Sequence, residues 1–341
     1  MKEEFDINLL EKLLVDSYSG DYSSVISIII DYLKKYTDAK IIIQKDKKSS
    51  NKKANIIVIF GKPKLMINCH MDTVSPSGIW KKDPLNLYST KSKFYGLGTA
   101  DTKGNIYSVL SAVKNTGPKN LMLLFSFDEE IGSGSGANAF LKSKYNKGIK
   151  NSIVCEPTSL EFINMHPGYY SFYISVKSKP HHSSIKKEQE NENAIAKAAE
   201  LILKFAKDKK YSFNIGTVNG GTSGNTTASV CKIKISVRSF DPIGKIKKEI
   251  YSKLKGYDGI QLKDSFVGEP FKGKHIPFLD GKKSKQAKFW SEAALFQKSG
   301  INSIVFGAGN IKQAHTNDEY VLKKHIIEAQ KVFENIIGGL E

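Results

Sequence analysis

Two histidines and a set of carboxylates stand where the strand-like apolar runs of this chain stop. LMINC runs into His70 and Asp72, and Asp101 follows in GLGTADTKG. LMLLFSF stops at Asp128, Glu129 and Glu130, SIVC stops at Glu156, and SIVF runs through GAG to His315. In open α/β sheets, ligand sites form beyond the carboxyl ends of the strands. Imidazole and carboxylate donors delivered there are the parts of a two-metal hydrolytic site. A lone HxD or EE pair reads more simply as a solvated face. The strand-end placement of His70, Glu129, Glu130, Glu156 and His315 together favours the metal site.

The elements that must hold these residues follow from hydrophobic periodicity. Residues 7–36 show helical spacing and read as two amphipathic helices broken near Gly20. KIIIQ and NIIVIFG flank a lysine-rich stretch, Lys45 to Lys53, that reads as a solvated hairpin tip. LMINC and LMLLFSF read as buried strands, each followed by a helix, in TKGNIYSVLSAVKNT and SGSGANAFLKSKY. Near Gly168 the texture changes. YYSFYISVKSK and ASVCKIKISVRSF alternate apolar and polar residues, as sheet edges with one wet face do. Each is followed by a helix, NENAIAKAAELILKFAKDK and PIGKIKKEIYSKLKGY. The expectation is an α/β catalytic domain in two segments, residues 1–166 and 270–341, with a small α+β unit inserted at 167–269. The closing segment reads as helix, strand and helix in FWSEAALFQKSG, SIVFGAG and VLKKHIIEAQKVFENIIGG.

Composition narrows the class. The 341 residues suffice for about two cores. No apolar run approaches the ~20 residues that span a bilayer, so no membrane partner is expected. The first residues, MKEEFDINLL, are acidic where a secretory leader would be basic, and a cytoplasmic location is expected. The net charge of +18 invites a nucleic-acid reading. Yet of 52 basic residues only Arg238 is an arginine, and 51 are lysines spread along the chain. Nucleic-acid readers favour arginine for its planar fork, so no nucleic-acid partner is expected. Cys69, Cys155 and Cys231 form no CxxC pair. Strand alternation turns Cys69 and Cys155 away from the faces of His70 and Glu156, which makes them small buried apolar residues rather than soft ligands.

The motifs taken together resemble the M20 family of metallopeptidases and deacylases over nearly the whole chain. His70-Met71-Asp72-Thr73 is similar to that family's first ligand motif, and Gly98-Thr99-Ala100-Asp101-Thr102-Lys103-Gly104 to its bridging-aspartate motif. Asp128-Glu129-Glu130, Cys155-Glu156-Pro157-Thr158 and Ala314-His315-Thr316 complete the set. The resemblance implies a mixed-sheet dinuclear metallohydrolase domain with an inserted lid and dimerisation domain. It implies that Asp101 bridges two divalent ions, with His70 and Glu156 on one and Glu130 and His315 on the other. Zinc is the expected metal, and cobalt or manganese also suit such donors. The resemblance makes Glu129 the general base and implies a cis peptide after Asp101; Asp72 would orient the His70 imidazole. Lys103 reads either as a charge partner of the site or as an exposed lysine near a helix start. Asp128 has no assignable role. His166, His275 and His325 read as structural or exposed.

In the insert, Pro180-His181-His182-Ser183-Ser184 resembles the family's lid motif, whose histidine reaches the partner subunit's active site. The following serines favour His182, with His181 the alternative, and a homodimer is implied. Such a histidine would stabilise a developing oxyanion. Gly220-Gly221, Asn225 and Arg238 fit the lid's further pattern. A chain that uses lysine everywhere else keeps one guanidinium, which is needed where a planar fork must hold a carboxylate. Arg238, helped by Asn225, is expected to grip the substrate's α-carboxylate.

Glutamate in Cys-Glu-Pro-Thr resembles the branch that contains acetylornithine deacetylase and succinyl-diaminopimelate desuccinylase. FNIGTVNGG and FWSEAALF look closest to short acetylornithine and acetylcitrulline deacetylases. Glu292 reads as a partner for a cationic substrate tail or as a helix-face acid. The expected reaction is hydrolysis of N2-acetyl-L-ornithine to L-ornithine and acetate, a step of arginine biosynthesis. Acetylcitrulline, succinyl-diaminopimelate and dipeptides are the alternative substrates. A binding protein that has lost catalysis is disfavoured because ligands, base and lid histidine are all present.

Overall fold

The computed structural model describes residues 6–46, 52–132, 134–184, 193–274, 276, 279 and 283–340, and His275 and most of the lysine-rich stretch lie outside them. The chain divides into two compact units. One comprises Met1–Met165, Lys272–Ala287 and Ser291–Glu341; the other comprises His166–Phe271 and Lys288–Trp290.

The larger unit is built on a mixed sheet. Its strands lie in the order Lys40–Lys45, Ala54–Ile59, Leu121–Ser126, Leu65–His70, Asn151–Val154, Asn302–Val305 and Phe162–His166, with Ser284–Gln286 also on the last. The central four run parallel, and the flanking pairs are antiparallel. These central strands are buried on both faces and read as unbroken apolar runs. Alternation still sorts their side chains. Ile67, Cys69, Leu123, Phe125, Ile153 and Cys155 enter one core with Leu9, Val25, Ile106 and Phe333. On the other side, helices Ser135–Leu141 and Ala293–Lys298 meet through Phe140 and Phe296, edge to face at 6.4 Å. Cys69 and Cys155 are free thiols in the first core, turned from the face of Asn68 and His70.

The helices form for identifiable reasons. In Ser23–Tyr36 the buried Val25, Ile29, Ile30 and Leu33 make one apolar stripe. Lys103–Thr116 is buried over almost its whole length and ends on Gly117 in the left-handed conformation. It packs beside the last helix, Lys323–Gly338, where the Ser108 hydroxyl donates to the Ile326 carbonyl at 3.2 Å. A small antiparallel sheet of Tyr88–Ser89, Lys93–Tyr95 and Tyr320–Leu322 stands beside the main one. Among the described residues no helix is long and apolar enough to cross a membrane.

The smaller unit is a four-stranded antiparallel sheet, ordered Phe213–Gly220, Val230–Ser239, Gly168–Lys177 and Ile260–Gly268. Helices Ala194–Ala206 and Ile243–Leu254 cover one face through Ala198, Leu201, Phe205, Ile246 and Ile250. Asn193 caps the first helix by accepting from the Ile195 and Ala196 amides at 2.9 and 3.4 Å. The sequence pattern showed two strands here, and the structure has four. The two that periodicity found, read as edges, are the central pair, and the two it missed are the edges.

Candidate metal centre

Parallel register brings the donors to one level. His70 is opposite Ser126 on one neighbouring strand, and Asn68 is opposite Val154 on the other, which places Glu156 at the height of His70. The Cys155 amide donates to the Asn68 carbonyl at 2.8 Å and extends that pairing to the site. Beyond Val305 the chain runs close by, through Gly307. A Cβ there would lie 2.4 Å from Asn105 Oδ1 and 2.7 Å from the Glu156 carbonyl oxygen, so only glycine fits.

Asp101 lies between the two histidines. Its Oδ1 is 3.0 Å from His70 Nε2 and its Oδ2 is 3.5 Å from His315 Nε2. His315 Nε2 also meets the Glu130 carboxylate at 2.9 and 3.0 Å. One donor atom each from His70, Asp101 and Glu130 lie within 4.8 Å of one another. The peptide bond between Asp101 and Thr102 is cis, as the resemblance implied.

Electrostatics describe a cluster short of positive charge. Burial drives Glu156 and Glu129 well above the usual carboxylate range, and negative neighbours, Asp101 among them for Glu156 and Glu130 for Glu129, push the same way. Glu130 is raised by burial and by Asp101. Burial opposes charge on His70, but Asp101 and the surrounding carboxylates outweigh it and raise the imidazole well above its ordinary value. His315, bonded to Asp101 and Glu130, is raised to about 11. Asp101 pays for burial yet stays below its ordinary value through the two histidines. Mutually repelling buried carboxylates that pull protons onto imidazoles are a donor set suited to divalent cations, so these residues fit a metal site, with His70, Asp101 and Glu130 as its closest group.

Asp72 divides its work. His70 Nδ1 donates to the Asp72 backbone carbonyl at 2.9 Å, while the Asp72 carboxylate is 3.7 Å away. That carboxylate instead accepts the amides of Glu129 at 3.2 Å and Glu130 at 2.9 Å. The imidazole is therefore oriented by the main chain of Asp72, and the carboxylate fixes the backbone carrying Glu129 and Glu130. Asp128 gains a role as well. It accepts from the Tyr22 hydroxyl at 2.6 Å and pairs with Lys53 at 2.7 Å, tying the strand end to the N-terminal segment.

Two further sequence readings change, and one residue is new. Lys103 is neither exposed nor directed at the donors. It is fully buried, donates to the Val15 carbonyl at 2.6 Å, and is lowered by burial to about 7. Glu292 is no exposed helix-face acid. It is 1% exposed and accepts from Ser126 Oγ at 2.7 Å, its other oxygen lacks a hydrogen-bond partner, and burial raises it to about 7. Glu319 was not anticipated. It is 1% exposed, and its carboxylate accepts from the amides of Gly98, Ala100 and Asp101. Burial and the charge of Asp101 push it up to about 8. The only signal was its place four residues after His315.

In the smaller unit, His182 is exposed, with Nδ1 2.8 Å from Ser184 Oγ, and bridges to Thr226. His181 is held through its backbone, which exchanges bonds with Thr227 at 2.8 Å. Asn225 belongs to the same end, where its carbonyl accepts from the Ser183 amide at 2.9 Å. Arg238 lies at the other end, opposite Tyr169, whereas Val230 is opposite Lys177. At a rise of ~3.3 Å per residue, that run of strand separates Asn225 from Arg238 by roughly 26 Å or more. Within one chain they cannot hold the same carboxylate. The Arg238 guanidinium stacks on Tyr169 at 4.4 Å, Tyr169 meets Phe266 at 5.5 Å, and Phe266 meets Trp290 at 4.9 Å. His166 is fully buried against Phe271 and lowered by burial to about 4. His325 is half-buried.

Residues 66–250 match the model of peptidase family M20/M25/M40. The chain is 27% identical over 319 residues to an N-acetyl-L-citrulline deacetylase of Xanthomonas campestris pv. campestris, covering 84% of each. It is 27% identical over 375 residues to an acetylornithine deacetylase of Buchnera aphidicola subsp. Schizaphis graminum, covering 97% of each. Among solved structures it is similar to a dinuclear metal-binding M20 peptidase of Bacillus subtilis. The TM-score is 0.70 at 16% identity, over 97% of this chain and 96% of that one.

Proposed function

Because the chain belongs to peptidase family M20/M25/M40 and is a metal-dependent amide hydrolase, we propose that its substrate is an N-acyl amino acid. The favoured reaction is N2-acetyl-L-ornithine plus water to L-ornithine and acetate, within arginine biosynthesis. The observation that carries the hydrolytic reading is Asp101, one oxygen toward His70 and the other toward His315. In this reading His70 and Glu156 would hold one ion, Glu130 and His315 would hold the other, and Asp101 would serve both. The ions are zinc, with cobalt or manganese as replacements. When bound, they lower the pKa of the attacking water and stabilise negative charge on the substrate carbonyl.

The chain's own residues handle the protons and the substrate. Glu129 takes the proton from the attacking water and returns it to the leaving amine. Burial, with Glu130 beside it, raises its carboxyl above the ordinary range. Asp72 keeps Glu129 in place through its amide. Arg238, stacked on Tyr169, grips the α-carboxylate. His182 and Asn225 share the opposite end of their sheet, so in a homodimer they serve the other chain's active centre. Each centre then takes His182 of the partner subunit for the oxyanion. Glu292, buried against Ser126, is left without a substrate role.

The Buchnera and Xanthomonas relatives support the deacetylase over the peptidase reading. The test is turnover by the metal-reconstituted protein across N-acetylornithine, N-acetylcitrulline, N-succinyl-diaminopimelate and a dipeptide panel. N-acetylornithine should give the highest kcat/KM. A dipeptide turned over faster would replace the deacetylase reading with that of a dipeptidase.

A further inference from the structure

The loop that carries Asp101 has no regular secondary structure of its own to fix it. It runs from Gly96 to the start of the helix at Lys103, and Gly98 takes φ +80, where a Cβ would strike the Thr73 methyl at 2.7 Å. Its amides point inward, and buried amides need acceptors. Glu319 supplies them. Oε2 accepts from Gly98 at 2.9 Å, and Oε1 accepts from Ala100 at 2.8 Å and from Asp101 itself at 3.1 Å. The Glu319 carbonyl also accepts from the Gly96 amide at 3.0 Å. Immediately after it, Tyr320 pairs with Tyr95, so a sheet holds Glu319 in position. Two carboxyl oxygens with several lone pairs can meet three converging amides, which a carboxamide or hydroxyl cannot match.

We propose that Glu319 is a positioning residue for the metal centre. It ties the backbone of the shared ligand Asp101 to the segment that bears His315, so that both halves of the donor set are set by one buried carboxylate. The proposal rests on the dinuclear reading of His70, Asp101, Glu130, Glu156 and His315. A merely structural Glu319 would lower the melting temperature of the metal-free protein and leave the metal affinity of the folded protein alone. A positioning Glu319 changes the affinity itself.

The experiment compares the unaltered chain with Glu319→Gln. The isosteric amide keeps one acceptor oxygen and turns donors toward at least one of the three amides. Metal-stripped protein is titrated with Zn2+ in competition with a chromophoric chelator, the visible spectrum of the Co2+ form is recorded, and melting of the metal-free forms is followed. The expected result is Zn2+ binding weakened about 10- to 100-fold, the range for groups that orient ligands, with a changed Co2+ spectrum. Affinity within about threefold of the unaltered chain, whatever the melting temperature, would overturn the proposal, since ligand-orienting contacts act well above that margin. If Glu319→Gln does not fold, Glu319→Asp, still acceptor-only on a shorter stem, is judged by the same criterion. An unaltered chain that takes up no Zn2+ would sink the metal reading and this inference with it. Tight binding by both proteins sinks only the inference.

Discussion

Replacing Asp72 by asparagine separates two ways in which this residue could act. The carboxylate accepts one amide on each oxygen, from Glu129 at 3.2 Å and Glu130 at 2.9 Å. A carboxamide keeps one acceptor and presents an NH2 group to the other amide, leaving a buried donor unpaired at a cost of about 1–3 kcal/mol. If that cost falls on the placement of the base, kcat drops roughly 5- to 150-fold at about 1.4 kcal/mol per decade. The imidazole of His70 should be spared, because its Nδ1 bonds the Asp72 carbonyl, which asparagine retains. The assay is steady-state kinetics on N-acetylornithine together with metal content per folded chain. The expected outcome is a lower kcat, KM within about threefold and undiminished metal content. Loss of metal with unchanged turnover per loaded site would refute the reasoning and return the carboxylate to the role of orienting His70.

Three other outcomes are expected. Glu129→Ala should bind metal as the unaltered chain does and lose turnover. Mixed with equally inactive His182→Ala it should regain about a quarter of the activity, because half the dimers are hybrids with one intact centre each; no recovery in a mixture shown to exchange subunits would remove the assignment of His182 to the partner. Arg238→Lys should raise KM about 10- to 100-fold, the worth of a lost charged bidentate bond, and an unchanged KM would remove the carboxylate assignment. His166 is buried with its pKa lowered to about 4, so the folded protein binds the proton more weakly than the unfolded chain. The stability of its unit should fall as pH drops from about 6.5 to 4, by up to roughly 3 kcal/mol from this group; His166→Phe should flatten that part of the pH profile, and an identical profile would contradict it.

Much of the site was legible because its residues end unbroken apolar strands. His70 and Glu156 follow runs buried on both faces, and parallel register carries such ends to one level without further information. Residues that act through the main chain left no such mark. Glu319 closes no apolar run, and its three amide partners lie more than 200 positions earlier. Lys103 read either as a charge partner of the site or as exposed because lysine is rarely fully buried, yet its amine reaches the Val15 carbonyl. The strands Phe213–Gly220 and Ile260–Gly268 were missed because they are edges, largely exposed and rich in Asn, Gly, Lys and Asp, so little apolar alternation survives. Their absence hid the register as well. Asn225 and Arg238 read as partners at one carboxylate, but Asn225 precedes the start of Val230–Ser239 and Arg238 stands near that strand's end.

The central claim is that one carboxylate, Asp101, is shared by two metal ions. Calorimetric titration of the metal-stripped protein with Zn2+, alongside Asp101→Asn, tests it most directly. Two ions should bind per unaltered chain, and both should bind the variant more weakly. A single ion per chain, or a variant in which one of the two sites binds as before, would contradict it.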